Sequence, residues 1–167
     1  MQENKYKFLI LFDKKTKINQ SFFNKNLFLK KTIKNSKVLF GKLSDIKKFN
    51  LIILIGFTKK IKLKKKKKYF TIHESDLPKG RGFSPIKHQI MMGKKKIICS
   101  CIELNNKIDS GKVIFKKKLV IKKSDLFDEI KQKQMKITSE MLLKLINDYP
   151  KILNKAKEQT GKATYFK

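Results

Sequence analysis

Imidazole, carboxylate and guanidinium groups crowd into one stretch, FTIHESDLPKGRG, residues 70–82. His73 is one of two histidines in the chain, and Arg81 is its only arginine. Glu74 and Asp76 follow His73 closely, and Asp109 lies in a second polar segment, IDSG, residues 108–111. A histidine beside a carboxylate is a candidate general base, because the carboxylate orients the ring and raises its basicity. All three carboxylates are candidates for that partnership. A single arginine in a chain otherwise basic through lysine points to a planar, forked geometry that lysine lacks. That fork serves either a ligand or the carbonyls of its own loop. Gly80 and Gly82 flank Arg81 and permit a tight turn or the close approach of a ligand to the backbone. His88, between Lys87 and Gln89 in a helical stretch, reads as a surface residue.

The elements that must position these groups are legible from the apolar runs. Residues 51–57 (LIILIGF) form the most apolar run, and residues 69–73 (YFTIH) form a second strand that delivers His73 at its end. An apolar strand followed by a polar loop rich in Gly and Pro is how an α/β protein builds a site at the carboxyl ends of its strands. Upstream, residues 6–12 (YKFLILF) predict a buried first strand, 14–35 an amphipathic helix, 37–40 a short strand, and 43–48 a helical turn with Ser44 as its cap. That βαβαβ order implies a parallel sheet with right-handed crossovers. The lysine run at 62–68 reads as a solvated loop. Residues 74–84 carry no regular pattern. Ser84 then caps a helix opened by Pro85 and stopped at Gly93. Two strand-like runs, 96–104 and 112–121, surround the IDSG loop. Two more helices are expected at 125–133, capped by Ser124, and at 139–148.

Composition bounds the function. At 167 residues the chain predicts one domain, 1–167, with one core. A net charge of +30 would ordinarily suggest a nucleic-acid surface. Nearly all of it is lysine, however, and base or phosphate recognition favours arginine. With abundant Ile, Asn and Phe, only two alanines and no tryptophan, the bias reads as drift at tolerant surface positions. The charge would still steer small anions such as nucleotides and folates. Cys99 and Cys101 share one face of a strand and read as small core residues rather than a disulfide or metal pair. No secretory leader or membrane-length apolar run is visible, so a cytoplasmic setting is expected. Neither glycine pattern fits a Walker or dinucleotide fingerprint.

The segments HESDLPKGRGFSPIKHQIMMGKKK and CIELNNKIDSGKVIF together resemble the folate-dependent formyltransferase family, which includes enzymes acting on methionyl-tRNA, glycinamide ribonucleotide and amino sugars. The family pattern is Asn-x-His, then Ser-x-Leu-Pro with a nearby Gly, then Asp-x-Gly. Here it reads Thr71-Ile72-His73, Ser75-Asp76-Leu77-Pro78, Arg81-Gly82 and Asp109-Ser110-Gly111. The match runs from about residue 50 to 111, with a looser echo in QTGKATYFK, residues 159–167.

The resemblance implies an α/β, Rossmann-like formyltransferase domain with a mostly parallel sheet, shortened at the N-terminus. It implies 10-formyltetrahydrofolate as co-substrate. His73 would be the base for the incoming amine, and Asp109 would hold His73 or a water in place. Thr71 stands where the family has the Asn that polarises the formyl oxygen, a role worth roughly 100- to 1,000-fold in rate. Phe57, Thr58, Asn106, Lys107 and Ile108 would face the folate, while Ser75, Pro78, Arg81 and Gly82 would support the substrate or the loop. The look of the SDLPKGRGFSP segment and the lack of an added β-barrel domain point to a nucleotide-linked amino sugar as acceptor. Other small amines, methionyl-tRNA, a non-catalytic folate-binding relative and a lysine-rich RNA-binding protein are the alternatives. The short C-terminal strand is a candidate for pairing across a homodimer.

Overall fold

The computed structural model describes residues 6–13, 37–40, 43–57 and 61–167. Six strands form the main sheet: β1 (Phe8–Phe12), β2 (Lys37–Phe40), β3 (Leu51–Ile55), β4 (Lys68–His73), β6 (Lys96–Glu103) and β7 (Val113–Val120). Their spatial order is β2-β1-β3-β4-β6-β7. The first four are parallel, and β6 and β7 run antiparallel to their neighbours. The parallel half was expected from the alternating order. The helix expected at 14–35 and Thr58 lie outside the described residues.

Every residue of β1 and β3 is buried, as a strand covered on both faces must be. Alternation divides their side chains between two clusters. Phe8, Ile10, Phe12, Ile53, Phe70 and Ile72 join the larger one, which also takes Met141, Leu142 and Leu145 from a long helix. Leu9, Leu11, Ile52, Leu54 and Tyr69 form the smaller one on the other face, edged by Phe57 and Leu104. Each such side chain contributes about 1.5–3 kcal/mol relative to exposure.

Four local expectations need correction. The two C-terminal helices are one, α2 (Phe127–Asn147). Ser139 does not begin a new helix. Its hydroxyl donates to the Met135 carbonyl one turn back, at 2.8 Å, inside an uninterrupted helix free of Gly and Pro. Ser124 does not cap α2 either. The Leu126 N–H donates to Glu129 Oε2 at 2.7 Å, so the first-turn carboxylate satisfies that end. Helix α1 (Pro85–Met91) starts where expected, but Ser84 makes no side-chain cap bond and takes a left-handed conformation with φ 48°. Ser44 lies inside the 3-10 turn Leu43–Lys48 rather than ahead of it.

Two segments read as loop carry structure. Lys67, in the lysine run, donates its ammonium to the carbonyls of Ile46 and Phe49, sealing the carboxyl end of the Leu43–Lys48 turn. Within residues 74–84, β5 (Arg81–Gly82) pairs in parallel with β8 (Tyr165–Phe166), forming a small second ladder. No helix among the described residues is long and apolar enough to cross a membrane.

Candidate active site

Strand β4 sets Tyr69, Thr71 and His73 on one face by simple alternation. His73 ends the strand, 7% exposed, next to Ser100 of β6. Its Nε2 lies 2.8 Å from the Gly80 carbonyl. A carbonyl can only accept, so Nε2 carries the proton and the neutral ring keeps its lone pair on Nδ1. Nδ1 faces Asp109 Oδ2 at 3.6 Å. That separation suits charge stabilisation of a protonated ring and is too long for a hydrogen bond. The Gly80 carbonyl, not Asp109, fixes the ring.

The three carboxylates near His73 in sequence now separate. Glu74 Oε1 accepts from Gln134 Nε2 of α2 at 2.6 Å, and Asp76 pairs with Lys116 at 2.5 Å. Asp109 alone of the three faces the imidazole. Its strand neighbour β6 ends level with Tyr69, whose carbonyl takes the Leu104 N–H at 2.7 Å. Residues 105–111 therefore fold back along β4 to the level of His73. Asp109 sits in this return with φ 46°, and its Oδ2 accepts the Gly82 N–H at 2.9 Å. Asn105 Oδ1 closes the outer turn by accepting from Lys107 N–H and the Ser110 hydroxyl. Asn106, Lys107 and Ile108 are left on the exposed rim, Ile108 at 57%.

Thr71 Oγ1 donates to the Leu54 carbonyl at 2.6 Å. Its single proton is engaged, so in this arrangement it offers only lone pairs to a ligand. Ser75 is buried, with a hydroxyl that has no hydrogen-bond partner among the described residues, while its carbonyl takes the Ser100 hydroxyl at 2.7 Å. Pro78 follows a cis peptide bond, and its carbonyl receives the Thr164 N–H at 3.4 Å. Phe57 is half-buried at the edge of the smaller cluster.

The guanidinium of Arg81 turns to the protein. Nε and Nη2 donate to Gln159 Oε1 at 3.2 and 2.7 Å, and Nη1 donates to the Tyr165 hydroxyl at 3.3 Å. The fork geometry inferred from its rarity is real and binds a side-chain amide. Gly82 has φ 100°, and a Cβ there would meet the Phe166 carbonyl oxygen at 2.4 Å, so only glycine lets β8 approach. His88 is not a free surface residue: its ring stacks on Phe166 at 4.8 Å between centroids.

The segment 157–166 is what the motif-based reading underweighted. Gln159 Nε2 donates to the carbonyls of Asp109 and Gly111, both at 2.8 Å. The Gly80 N–H donates to the Thr164 hydroxyl at 2.8 Å. The QTGKATYFK echo was the available signal. Beside it lies a cleft of about 460 Å³ walled by Leu77, Pro78 and Gln159 and carrying Lys79, Lys155 and Lys162. Among the described residues no group of three or more His, Cys, Asp or Glu is placed to hold a metal. Cys99 and Cys101 are buried and free, and burial pushes both thiols well above their ordinary range, with Glu74 adding to the effect at Cys99.

A strand-end His with a partly buried carboxylate opposite its second ring nitrogen, on a mostly parallel sheet, is an arrangement that can exchange a proton with a nucleophile placed beside it. Residues 12–146 match the family model described as Formyl transferase, and the chain belongs to that family. The methionyl-tRNA formyltransferase of Wolbachia pipientis subsp. Culex pipiens is 38% identical over 80 residues, 48% of this chain and 27% of that protein. The matches thus span less than a third of these curated relatives' length. Among solved structures, methionyl-tRNA formyltransferase from Clostridium thermocellum superposes with a TM-score of 0.66 at 24% identity, covering 96% of this chain and 71% of that one. The formyltransferase PseJ from Anoxybacillus kamchatkensis, solved with UDP-4,6-dideoxy-4-formamido-L-AltNAc and tetrahydrofolate, gives 0.63 at 17% identity, covering 96% and 85%. At these identities the structural likeness establishes the fold.

Proposed function

We propose that this chain transfers a formyl group to a primary amine, with 10-formyltetrahydrofolate as donor. One observation carries the reading: the Gly80 carbonyl holds the proton on Nε2, so the basic Nδ1 of His73 points at the Asp109 carboxylate. His73 Nδ1 takes the proton released by the attacking amine, and Asp109 stabilises the resulting imidazolium across 3.6 Å. His73 is buried and Asp109 partly so, which strengthens that interaction relative to water. The donor supplies the activated one-carbon unit. The chain's residues suit such a ligand. The Thr71–His73 face of β4 borders the smaller cluster, where Tyr69 and Leu54 are buried and Phe57 and Leu104 are the partly exposed apolar groups against which a flat heteroaromatic ring would pack. The backbone of Asn106 and Ile108 lies on the neighbouring rim, available to hydrogen-bond the ring's polar edge, whereas Lys107 spends its N–H on Asn105 Oδ1.

For the acceptor, the sequence relatives favour methionyl-tRNA over the nucleotide-linked amino sugar suggested by the SDLPKGRGFSP segment. Curated relatives at up to 38% identity, the Wolbachia protein among them, are methionyl-tRNA formyltransferases. The lysines of the cleft beside the site suit a polyanionic acceptor. The amino-sugar reading keeps its own support: PseJ, with its bound UDP-linked formamido sugar, is one of several similar structures described as formyltransferases of sugars.

The test follows tetrahydrofolate release with methionyl-tRNA and, separately, with a panel of nucleotide-linked amino sugars. Release with methionyl-tRNA, falling steeply with salt, is expected. Release only with a sugar reassigns the acceptor. Asp109→Asn should lower turnover by about 100-fold or more. Folate binding without release with any amine would make the chain a non-catalytic relative.

A further inference from the structure

We propose that Gln159 is a positioning residue that sets the Asp109 carboxylate against His73; this rests on the general-base pair proposed above. One side-chain amide fastens both loops of the site. Its two N–H groups donate to the carbonyls of Asp109 and Gly111, each at 2.8 Å, on either side of Ser110. Its oxygen accepts two N–H groups of Arg81, at 3.2 and 2.7 Å. The orientation of the amide is not arbitrary. Arginine has only donors and a carbonyl only accepts, so Oε1 must face Arg81 and Nε2 the loop.

Those bonds act where the loop needs them. Asp109 holds φ 46°, a left-handed conformation that is unfavourable for a non-glycine residue. Two carbonyl tethers across the turn hold it there. On the other side, Arg81 precedes Gly82, whose N–H grips Asp109 Oδ2 at 2.9 Å. Gln159 therefore fixes Asp109 through its backbone and, by way of Arg81, through its carboxylate. It touches neither His73 nor any reacting atom, so its effect on turnover runs through Asp109.

Two variants of the full chain separate positioning from simple packing. Gln159→Ala removes every bond. Gln159→Glu keeps the shape and the acceptor for Arg81 but turns an oxygen toward two carbonyls. Both are expected to lower kcat about 100-fold with KM for donor and acceptor changed by less than about threefold, the pattern of a misplaced catalytic group. Hydrogen exchange gives a readout independent of turnover. The Gly82 amide, bonded to the Asp109 carboxylate, should exchange at least about tenfold faster in both variants, with β6 amides unchanged. Near-normal kcat in Gln159→Glu, or unaltered Gly82 protection in Gln159→Ala, overturns the proposal. Loss of protection throughout β6 also overturns it, since Gln159 would then be a folding residue. Asp109→Asn distinguishes the two layers. If it is inactive while Gln159→Glu is active, only the positioning role fails; if it is fully active, the general-base reading fails with it.

Discussion

A methyl group at residue 111 would collide with backbone on which the site depends. A Cβ built on Gly111 lies 1.6 Å from the Glu103 carbonyl oxygen and 2.8 Å from its carbon. Real Cβ atoms keep at least 3.0 Å from such atoms, so something must move by about 1.4 Å. Glu103 cannot retreat. It ends β6, its N–H donates to the Lys112 carbonyl at 3.0 Å, and the next residue bonds Tyr69 at 2.7 Å. The displacement therefore falls on residues 105–111, which carry Asp109. A misplacement of about 1 Å costs on the order of 100-fold in rate, and forced overpacking costs about 1–3 kcal/mol of stability. For a chain of this size that lowers Tm by roughly 2–12 °C. Gly111→Ala should thus combine a large loss of turnover with a modest loss of thermal stability, read by tetrahydrofolate release and by circular dichroism. Wild-type turnover in a stable Gly111→Ala protein would refute the claim that this loop sets Asp109.

Other perturbations have defined outcomes. Thr71→Asn puts two N–H donors where a hydroxyl now spends its proton on Leu54, so turnover should hold or rise; a large fall would show that the strand is built around Thr. Cys99 and Cys101 should resist alkylation at pH 8 in the native protein and react on unfolding, because burial keeps both thiols protonated; rapid native labelling would contradict their placement. Asp125 is held below the ordinary carboxylate range, first by the Lys133 ammonium and then by the Lys122 N–H. A depressed carboxylate stabilises the fold above its unfolded pKa of about 4, and that contribution is lost as pH falls through the lower folded value. Denaturant midpoints should show the acid-side loss reduced in Asp125→Asn, and an unchanged slope would count against the pair.

The strands of this fold announce themselves because their chemistry is local. LIILI and YFTIH are apolar, β-branched or aromatic, and interrupted by loop residues at the right places. The site was half legible for the same reason. His73, Arg81 and Asp109 stand in short motifs, so their gathering in one place could be read, but not which carboxylate faces the ring. Glu74 and Asp76 are nearer in sequence and turn away to Gln134 and Lys116. That choice depends on the return of residues 105–111 along β4, which no local pattern encodes. Ser139 misled because serine favours helix starts, while inside a helix its hydroxyl can be satisfied by the preceding turn. Gln159 opens the loose QTGKATYFK echo, which marks the segment but not its partners, 48 to 78 residues away.

The pairing of β5 with β8 fixes an order of events during synthesis. Gly80 meets Thr164 across 84 positions, and Asp109 meets Gln159 across 50. The sheet from β1 to β7 needs none of those late residues, so a nascent chain can assemble its barrier to water before it owns a finished catalytic loop. A chain cut before residue 159 would keep the sheet and α2 and lose the bonds that tie residues 105–111 to Arg81. Competence here arrives as a separate, final closure, and long-range contacts of this kind are the slow ones to form.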